Sequence, residues 1–423
     1  MLKIKKLGKN LISKILERQV RRLRKKHKFT VVAVVGSVGK TSTKLAIAEI
    51  LKTQKSVRFQ SGNYNDRLTV PLVFFGHENP TMFNLFTWIK IFRSNHKQIK
   101  CKHFYDVVVI ELGTDGPGQI KEFEYIKPDI AVVTAITPEH MEFFDSLDDV
   151  ASEELAVTKF STKVIVNNDD INSKYLREID KLITYGLKKA DYKAEIVSKK
   201  TKQMLKVDRD DLSINKEINL VGAQGAKAAL AAVSVANELD LTQANILIGL
   251  GKLKAFAGRM NILSGIKSST IIDDTYNASP AAVIAALDVM YSMKAPQKIA
   301  ILGNMNELGK HSKKSHVQIG EYCDPKQLDW VVTVGPDANE YIASSAMAKK
   351  CKVKSFDSPY DVGDFVKEKL QSGALILAKG SQNKVFAEES LKVLLKNPED
   401  ITKLVRQSKS WLDIKNSQFG GMS

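Results

Sequence analysis

Short runs of consecutive apolar residues recur along the chain, separated by stretches whose apolar positions repeat at helical spacing. The runs lie at residues 31–35, 105–112, 129–136, 163–166, 269–273, 298–302, 330–334 and 374–378. A run of this length fits a strand that is buried on both faces, and polar residues collect where several runs end. Buried strands that alternate with helices are typical of parallel sheets, whose ligand sites lie at the carboxyl edge. The pattern therefore predicts an α/β protein with mostly parallel sheets.

Weaker stretches between these runs divide the chain. Residues 181–219 alternate only weakly, as in a small antiparallel annex, and residues 222–239 have an alanine-rich helical pattern. The predicted units are a basic amphipathic segment at 1–28, a central domain at 29–257, a second α/β domain at 258–400 and a polar tail at 401–423. We expect the tail to be frayed, because it is polar and ends in consecutive glycines.

The first apolar run leads into a glycine-framed loop and then a helical pattern. The loop reads Gly36-Ser37-Val38-Gly39-Lys40-Thr41-Ser42. The backbone N–H groups and the helix N-terminus favour a phosphate, Lys40 reaches its outer oxygens, and the Thr41 or Ser42 hydroxyl can bind Mg²⁺. The general pattern has a further glycine where Val34 stands, so this is a shorter form. We expect ATP and Mg²⁺ to bind here, because a simple turn does not explain Lys-Thr-Ser at a helix start.

Two more polar residues follow predicted strands of the central domain. Glu111 ends the run 105–112, where a carboxylate can hold Mg²⁺ across from the loop; the alternative is a solvated acid. His140 follows the run 129–136 and can bind a metal or orient a substrate, although a lone loop histidine often does neither. Both are therefore candidates for a phosphate-handling site.

The second domain offers candidates for nucleotide contacts. Asp274, Tyr276 and Asn277 lie between a predicted strand and a predicted helix, where they can serve ribose hydroxyls and an adenine face. By composition alone, the same loop is only a turn ahead of a helix. Arg259 and Lys379 stand at element ends, where each can reach a phosphate or be a surface charge.

Positive charge is concentrated at the N-terminus. The chain has a net charge of +17, and residues 1–28 contain twelve Lys and Arg against one acid, Glu17. Apolar residues recur among these charges at near-helical spacing, which predicts a basic amphipathic helix. Such a helix can contact an anionic membrane surface, pack one face on the next domain, or contact nucleic acid. No aromatic residue precedes Phe29, which disfavours single-stranded nucleic acid.

Composition limits the class of protein. Contents of 43% apolar and 26% charged residues are ordinary for a globular chain, and no apolar run approaches the length of a membrane span. Cys101, Cys323 and Cys351 stand far apart, which argues against a disulfide framework or a cysteine zinc site. These features favour a cytoplasmic protein, and the basic segment leaves peripheral contact with the inner face of the membrane open.

Eight motifs of the chain occur together in one order. They are Gly36-Ser37-Val38-Gly39-Lys40-Thr41-Ser42, Gly62-Asn63-Tyr64-Asn65, Glu111-Leu112-Gly113, His140-Met141-Glu142, Gly258-Arg259, Asp274-Thr275-Tyr276-Asn277-Ala278-Ser279-Pro280, Gly303-Asn304-Met305-Asn306-Glu307-Leu308-Gly309 with His316, and Lys379-Gly380-Ser381. Between about Val31 and Leu395 the chain thereby resembles the Mur ligase family, closest to its MurF type. The motifs that begin at Asp274 and Gly303 are the most specific.

The resemblance implies a fold and residue roles. It implies a central P-loop ATPase domain and a C-terminal Rossmann-like domain that closes over ATP and substrate. The implied roles are catalysis by Lys40, Glu111, His140 and Glu154, metal binding by Thr41, Glu111 and His140, ATP contacts by Arg259 and Asn277 with Asp274 near the ribose, and substrate contacts by Asn63, Asn65, Lys379 and Ser381.

The sequence also departs from the family pattern. The family normally begins with a domain that grips a UDP-sugar, whereas only residues 1–28 precede the first strand here. Glu154 stands where the family has a carbamylated lysine that bridges metals; it can supply that carboxylate directly or be a solvated helix acid, with Lys159 as an alternative carbamate carrier. Residues 222–227 replace an Asn/His-rich segment, and Gly116 replaces a histidine.

The implied activity is ATP-dependent amide bond formation through an acyl phosphate. The expected substrates are a muramyl-peptide acceptor and D-Ala-D-Ala or a similar amino donor. The alternatives are a related ligase with another acceptor, such as a folate, another peptide or a lipid-linked precursor, and an ATP-binding subunit that works only with a partner. We expect a monomer and no nucleic-acid partner.

Overall fold

The computed structural model describes residues 2–60, 62, 64–80, 84–101, 105–180, 182–199 and 201–420; for residues 2–7 and 199 it describes the backbone. Nine strands of the described chain form one sheet, in the order β2-β3-β1-β4-β5-β6-β7-β8-β9. They are β1 (Thr30–Val35), β2 (Val57–Arg58), β3 (Val107–Glu111), β4 (Ile130–Val133), β5 (Lys163–Asn167), β6 (Leu182–Gly186), β7 (Tyr192–Lys199), β8 (Lys202–Arg209) and β9 (Leu212–Ile218). Pairing is parallel from β2 to β7 and antiparallel from β7 to β9. The expected antiparallel annex at 181–219 is therefore present as β7–β9, whereas β6 at its start pairs in parallel.

Helices cover both faces of this sheet. Five of its helices are α2 (Lys40–Leu51), α3 (Val70–Phe75), α5 (Leu147–Glu154), α6 (Gly222–Glu238) and α7 (Gln243–Lys252). Along β1, Val32 and Val34 join the core beneath α2, α6 and α7, whereas Val31 and Val35 join the opposite core beneath α3 and α5. Two buried faces explain why the strand appears in the sequence as an uninterrupted apolar run.

The second sheet has the order β10-β11-β15-β12-β13-β14. Its strands are β10 (Asn261–Ser264), β11 (Thr270–Asp274), β12 (Lys298–Gly303), β13 (Trp330–Val334), β14 (Val353–Phe356) and β15 (Leu375–Lys379). The helices are α8 (Pro280–Ser292), α9 (Ser312–Tyr322), α10 (Ala343–Ala348) and α11 (Pro359–Lys369). All neighbouring strands are parallel except β10 and β11. The predicted α/β class with mostly parallel sheets is confirmed.

The basic N-terminal segment forms helix α1 (Leu2–Lys26), which packs on the larger sheet's unit together with α4 (Leu85–Lys100). Leu16 and Val20 have no exposed surface, and Leu23 is also buried. The predicted amphipathic helix is therefore present, and one of its faces belongs to the core. Among the helices in the described ranges, none has the length and apolar character needed to cross a membrane.

From residue 401 to residue 420 the C-terminal tail is ordered, and for these residues the expectation of fraying is wrong; residues 421–423 lie outside the described part of the chain. Residues Lys409–Phe419 form helix α12. The Nζ of Lys415 lies 2.9 Å from Glu388 and 2.6 Å from Glu389, and all three side chains are fully buried. Buried carboxylates need such a partner, so Lys415 of the tail serves as an ion-pairing residue inside the protein.

Candidate active site

The glycine-framed loop joins β1 to α2 at the carboxyl edge of the larger sheet. Gly36 and Gly39 have φ angles of 119° and 88°, which favour glycine. A Cβ on Gly36 would lie 2.4 Å from the Thr134 hydroxyl oxygen, so the close approach of β4 also requires glycine. Helix α2 begins at Lys40, directly after Gly39, so the last three residues of the motif form its first turn and its N-terminal N–H groups are directed toward residues 36–39.

Lys40 folds back over this loop. Its Nζ donates to the Gly36 carbonyl at 2.5 Å and the Ser37 carbonyl at 3.3 Å. Burial alone would lower the pKa of Lys40, but the nearby carboxylates of Glu139 and Glu154 outweigh that effect, and the pKa is raised. The loop therefore holds a permanent positive charge.

A threonine, a glutamate and a second lysine meet beside the loop. The Thr41 hydroxyl donates to the two Glu111 carboxylate oxygens at 3.2 and 3.0 Å. Lys44 Nζ lies 3.2 Å from the same carboxylate and donates to the Gly62 carbonyl at 3.1 Å, and both charged side chains are almost fully buried. The hydroxyl and carboxylate that were expected to share a metal thus lie together.

Glu154 lies against the first residue of the loop. One of its carboxylate oxygens accepts a hydrogen bond of 2.8 Å from the Gly36 N–H. Burial raises its pKa to about 7, although the Lys40 charge acts in the opposite direction. The alternative of a solvated helix acid is therefore wrong. Lys159, the other carbamate candidate, is exposed.

His140, in the unit of the larger sheet, contacts Glu307 in the unit of the second sheet. Its Nδ1 lies 3.1 Å from Glu307, and its Nε2 lies 3.8 Å from Glu139. Burial alone would lower the pKa of His140, but the Glu307 hydrogen bond and the Glu139 charge raise it. No three His, Cys, Asp or Glu side chains of the described ranges are grouped as a metal site.

Nucleotide candidates from the second domain face the loop across one cavity of about 810 Å³. Its lining includes Ser37, Gly39, Ser42, Arg259, Asp274, Asn277 and Lys379. The Arg259 guanidinium lies 4.0 Å from the centre of the Tyr276 ring, and its buried Nε has no hydrogen-bond partner among the described residues. A ligand acceptor could use that N–H.

Other predicted contacts are engaged within the protein. Lys379 Nζ donates to Asp274 at 2.5 Å and to the Asn277 carbonyl at 3.0 Å, so it holds the loop that carries both residues. Ser381 is buried and accepts a hydrogen bond from the Asn306 N–H. The Asn65 carbonyl accepts from the Gly113 N–H, which places Asn65 beside the end of β3. Asn63 lies outside the described residues.

Three charged residues of this site were not predicted from the sequence. Lys44 neutralises Glu111, Glu139 lies 3.8 Å from Lys40, and Glu307 pairs with His140. Lys44 could have been found, because it follows Lys40 by one helical turn. Glu139 and Glu307 could not, since their partners are set by tertiary contacts between loops.

Two family models match the chain. The Mur ligase middle domain matches residues 34–236, and the Mur ligase glutamate ligase domain matches residues 258–382. Together they cover more than half of the chain, and their boundary falls between the two sheets. Each family model thus matches one of the two units that contribute residues to the candidate site.

Individual relatives agree with these models. The chain is 27% identical over 378 residues to the UDP-N-acetylmuramoyl-tripeptide–D-alanyl-D-alanine ligase of Bacillus subtilis, covering 87% of this chain and 76% of the relative. Identity to the enzyme of the same name from Escherichia coli is 27%, covering 75% of this chain and 67% of the relative.

Solved structures share the fold. MurF from Thermotoga maritima in complex with ADP has a TM-score of 0.75 at 23% identity and covers 90% of this chain and 83% of its own. MurF from Acinetobacter baumannii also has a TM-score of 0.75 at 23% identity and covers 89% of this chain and 79% of its own. With the matched domains, the chain belongs to the Mur ligase family.

Proposed function

We propose that this chain is an ATP-dependent amide ligase of MurF type, joining D-Ala-D-Ala to the carboxylate of a UDP-N-acetylmuramoyl tripeptide. The observation that carries the proposal is the cavity in which the phosphate loop faces Arg259 and Asn277 from the second sheet. The names of the Bacillus subtilis and Escherichia coli relatives support the choice of substrates.

The chemistry follows from the inertness of a carboxylate toward amines. An acceptor carboxylate oxygen attacks the γ-phosphorus of ATP, the bond to ADP breaks, and an acyl phosphate forms. The donor amine then attacks the acyl carbon, loses a proton and displaces inorganic phosphate. We assign to Lys40 the stabilisation of charge on the transferred phosphoryl group, since its raised pKa keeps it cationic.

Mg²⁺ fits the oxygen atoms beside the loop. The Thr41 hydroxyl and the Glu111 carboxylate are 3.0 Å apart, and Mg²⁺ prefers such oxygen ligands. When bound, the ion would neutralise phosphate charge. We assign Thr41 and Glu111 to this ion and keep His140 as a further metal-side residue. Glu154, with its carboxylate at the loop, takes the place of the carbamylated lysine in this proposal.

The remaining predicted residues form the binding surface. Arg259, Tyr276 and Asn277 are assigned to ATP, with Asp274 near the ribose and held by Lys379. We assign Asn63, Asn65, Lys379 and Ser381 to the substrate side. We also propose a cytoplasmic monomer, with peripheral contact at an anionic membrane surface.

The test is a ligation assay with purified chain, ATP, Mg²⁺, UDP-N-acetylmuramoyl tripeptide and D-Ala-D-Ala. We expect a product heavier by the dipeptide minus water, with ADP and phosphate formed in equal amounts. Parallel reactions replace the acceptor with a folate, another peptide or a lipid-linked precursor. Product with only one of those would assign the alternative acceptor, and ATP turnover that needs an added protein would favour the partner-dependent subunit.

A further inference from the structure

Helices α1 and α4 lie side by side and run in the same direction. Gln19 donates to the Phe92 carbonyl at 2.9 Å, Asn95 donates to Gln19 at 2.7 Å, and Lys26 donates to the Lys100 carbonyl at 3.1 Å. The buried contact between this helix pair and the rest of the protein includes Leu16, Trp88 and Ile91. The opposite sides of both helices are exposed; we call them the α1/α4 face.

One end of the α1/α4 face is apolar. Leu85 and Phe86, in the first turn of α4, are 68% and 81% exposed, and Ile89 in the next turn is 38% exposed. Leu11 of α1 is 62% exposed, and its neighbour Ile12 packs against the cluster around Trp88. Four large apolar side chains at one end of a helix pair are unusual on a water-facing surface.

The rest of the face is positively charged. The exposed basic residues are Lys14, Arg18, Arg22 and Lys25 on α1 and Lys90, Arg93, Lys97 and Lys100 on α4. Helix α4 contains no acid, and the one acid of α1, Glu17, is paired with Arg67 at 2.6 Å. The face therefore combines an apolar end with basic side chains that form no ion pair within the described ranges.

We propose that the α1/α4 face docks on an anionic lipid bilayer. Leu11, Leu85 and Phe86 would enter the headgroup–acyl boundary, while the lysines and arginines along both helices pair with lipid phosphates. A second copy of the chain would bring like charges together. Single-stranded nucleic acid would need aromatic rings between the charges, whereas the exposed ring of Phe86 lies at the end of the basic rows.

Helix α1 also contacts the segment that follows Asn65, through residues outside the α1/α4 face. Lys9 of α1 lies 3.0 Å from Asp66, and Glu17 accepts from Arg67. The inference does not rest on the proposed substrates, because it concerns a surface outside the cavity.

The experiment uses the full chain, because α1 contributes core residues and its deletion would expose Trp88 and Leu72. We would measure flotation with vesicles of phosphatidylcholine containing phosphatidylglycerol, and with vesicles of phosphatidylcholine alone. Binding is expected to the anionic vesicles only and to be released by high salt, because salt screens charges beyond roughly 10 Å at 0.1 M.

Two face variants and two matched controls locate the surface. Leu85→Asp/Phe86→Asp removes the apolar end, and Lys90→Glu/Arg93→Glu/Lys97→Glu reverses three charges. The controls place the same changes on exposed residues elsewhere, Ile248→Asp/Met347→Asp and Lys326→Glu/Lys349→Glu/Lys352→Glu. We expect both face variants to lose vesicle affinity. For Lys90→Glu/Arg93→Glu/Lys97→Glu the expected loss is at least roughly fivefold for each basic residue removed. The two control variants are expected to bind as the unaltered chain does.

Thermal unfolding and ATP turnover, measured for every variant, separate lost docking from lost folding. Equal flotation of face and control variants would overturn the proposal, as would equal binding to neutral and anionic vesicles. Self-association that Leu85→Asp/Phe86→Asp abolishes, without vesicle binding, would instead assign the face to a second copy. Binding of an oligoribonucleotide without vesicle binding would also overturn it. Failure of the ligation assay would leave each of these outcomes unchanged.

Discussion

The carboxylate of Glu154 accepts a hydrogen bond of 2.8 Å from the Gly36 N–H, the first N–H of the phosphate loop. Backbone N–H groups of such loops donate to phosphate, and here one of them donates to a carboxylate oxygen. Burial raises the pKa of Glu154 to about 7, so its charge changes near neutral pH. The protonation of Glu154 is therefore coupled to what the phosphate loop binds.

We expect Glu154→Gln to change how stability depends on pH. The folded pKa of about 7 lies above the ordinary 4.5, so the folded protein keeps a proton that the unfolded chain releases between these values. This residue's contribution to stability is present below about pH 4.5 and falls as pH rises toward 7, by up to about 1.4 kcal/mol per pH unit. Glutamine still accepts from Gly36 but does not titrate. Urea unfolding without nucleotide or metal, from pH 4.5 to 8, measures the difference, and parallel curves for the two proteins would contradict it.

Metal dependence tests the same residue in a different way. If Glu154 replaces a carbamylated lysine, turnover is indifferent to added bicarbonate, and Glu154→Ala raises the Mg²⁺ concentration needed for half-maximal ligation. Lys159→Ala is the matched control, because Lys159 is exposed and is expected to leave both properties unchanged. Stimulation of the unaltered chain by bicarbonate, lost in Lys159→Ala, would return the carbamate to that lysine.

Lys40→Ala should lower ligation by about 100-fold or more while leaving the fold intact. Its Nζ contacts the carbonyls of Gly36 and Ser37, so its removal takes away a charge for phosphate. The buried Glu154 loses a nearby cation, but burial already raises its pKa to about 7, so it can take up a proton in place of that charge. Lys52→Ala, an exposed change next to the other end of α2, serves as control. Steady-state turnover and thermal unfolding are the measurements. Unchanged turnover in Lys40→Ala would refute the phosphate-loop assignment.

Some of the site follows from the sequence alone. Parallel strands bring their carboxyl ends to one edge, so residues after β1 and β3 were expected to meet; in the structure Val34 is paired with Glu111, and Thr41 bonds to that carboxylate. The edge strand β14 was missed, because its side chains are partly exposed and leave no apolar run.

Other contacts depend on tertiary structure and leave no local signal. His140 and Glu307 meet only because two loops from different sheets touch, and each has a positive φ that no spacing predicts. Likewise, the charge pattern of α1 fits an exposed helix and a packed one equally well. The burial of Leu16, Val20 and Leu23 in the structure shows that this helix is packed.

The ordered tail provides the last prediction, for Arg406. Its guanidinium bonds to Glu388 at 2.8 and 2.6 Å and donates to the carbonyls of Thr275 and Tyr276 at 2.5 and 3.0 Å. Arg406→Met leaves buried Glu388 with one fewer cation and frees the loop that carries Tyr276 and Asn277. We expect a loss of about 3–5 kcal/mol in the free energy of unfolding.

The same variant should weaken ATP binding, because a looser loop must be ordered when ATP binds. Calorimetric titration with ATP below the unfolding transition measures this, with the exposed Lys409→Ala as control. Stability lost with unchanged ATP affinity would restrict Arg406 to a purely structural role. Unchanged stability would mean that the tail's buried ion pairs do not hold the second domain together.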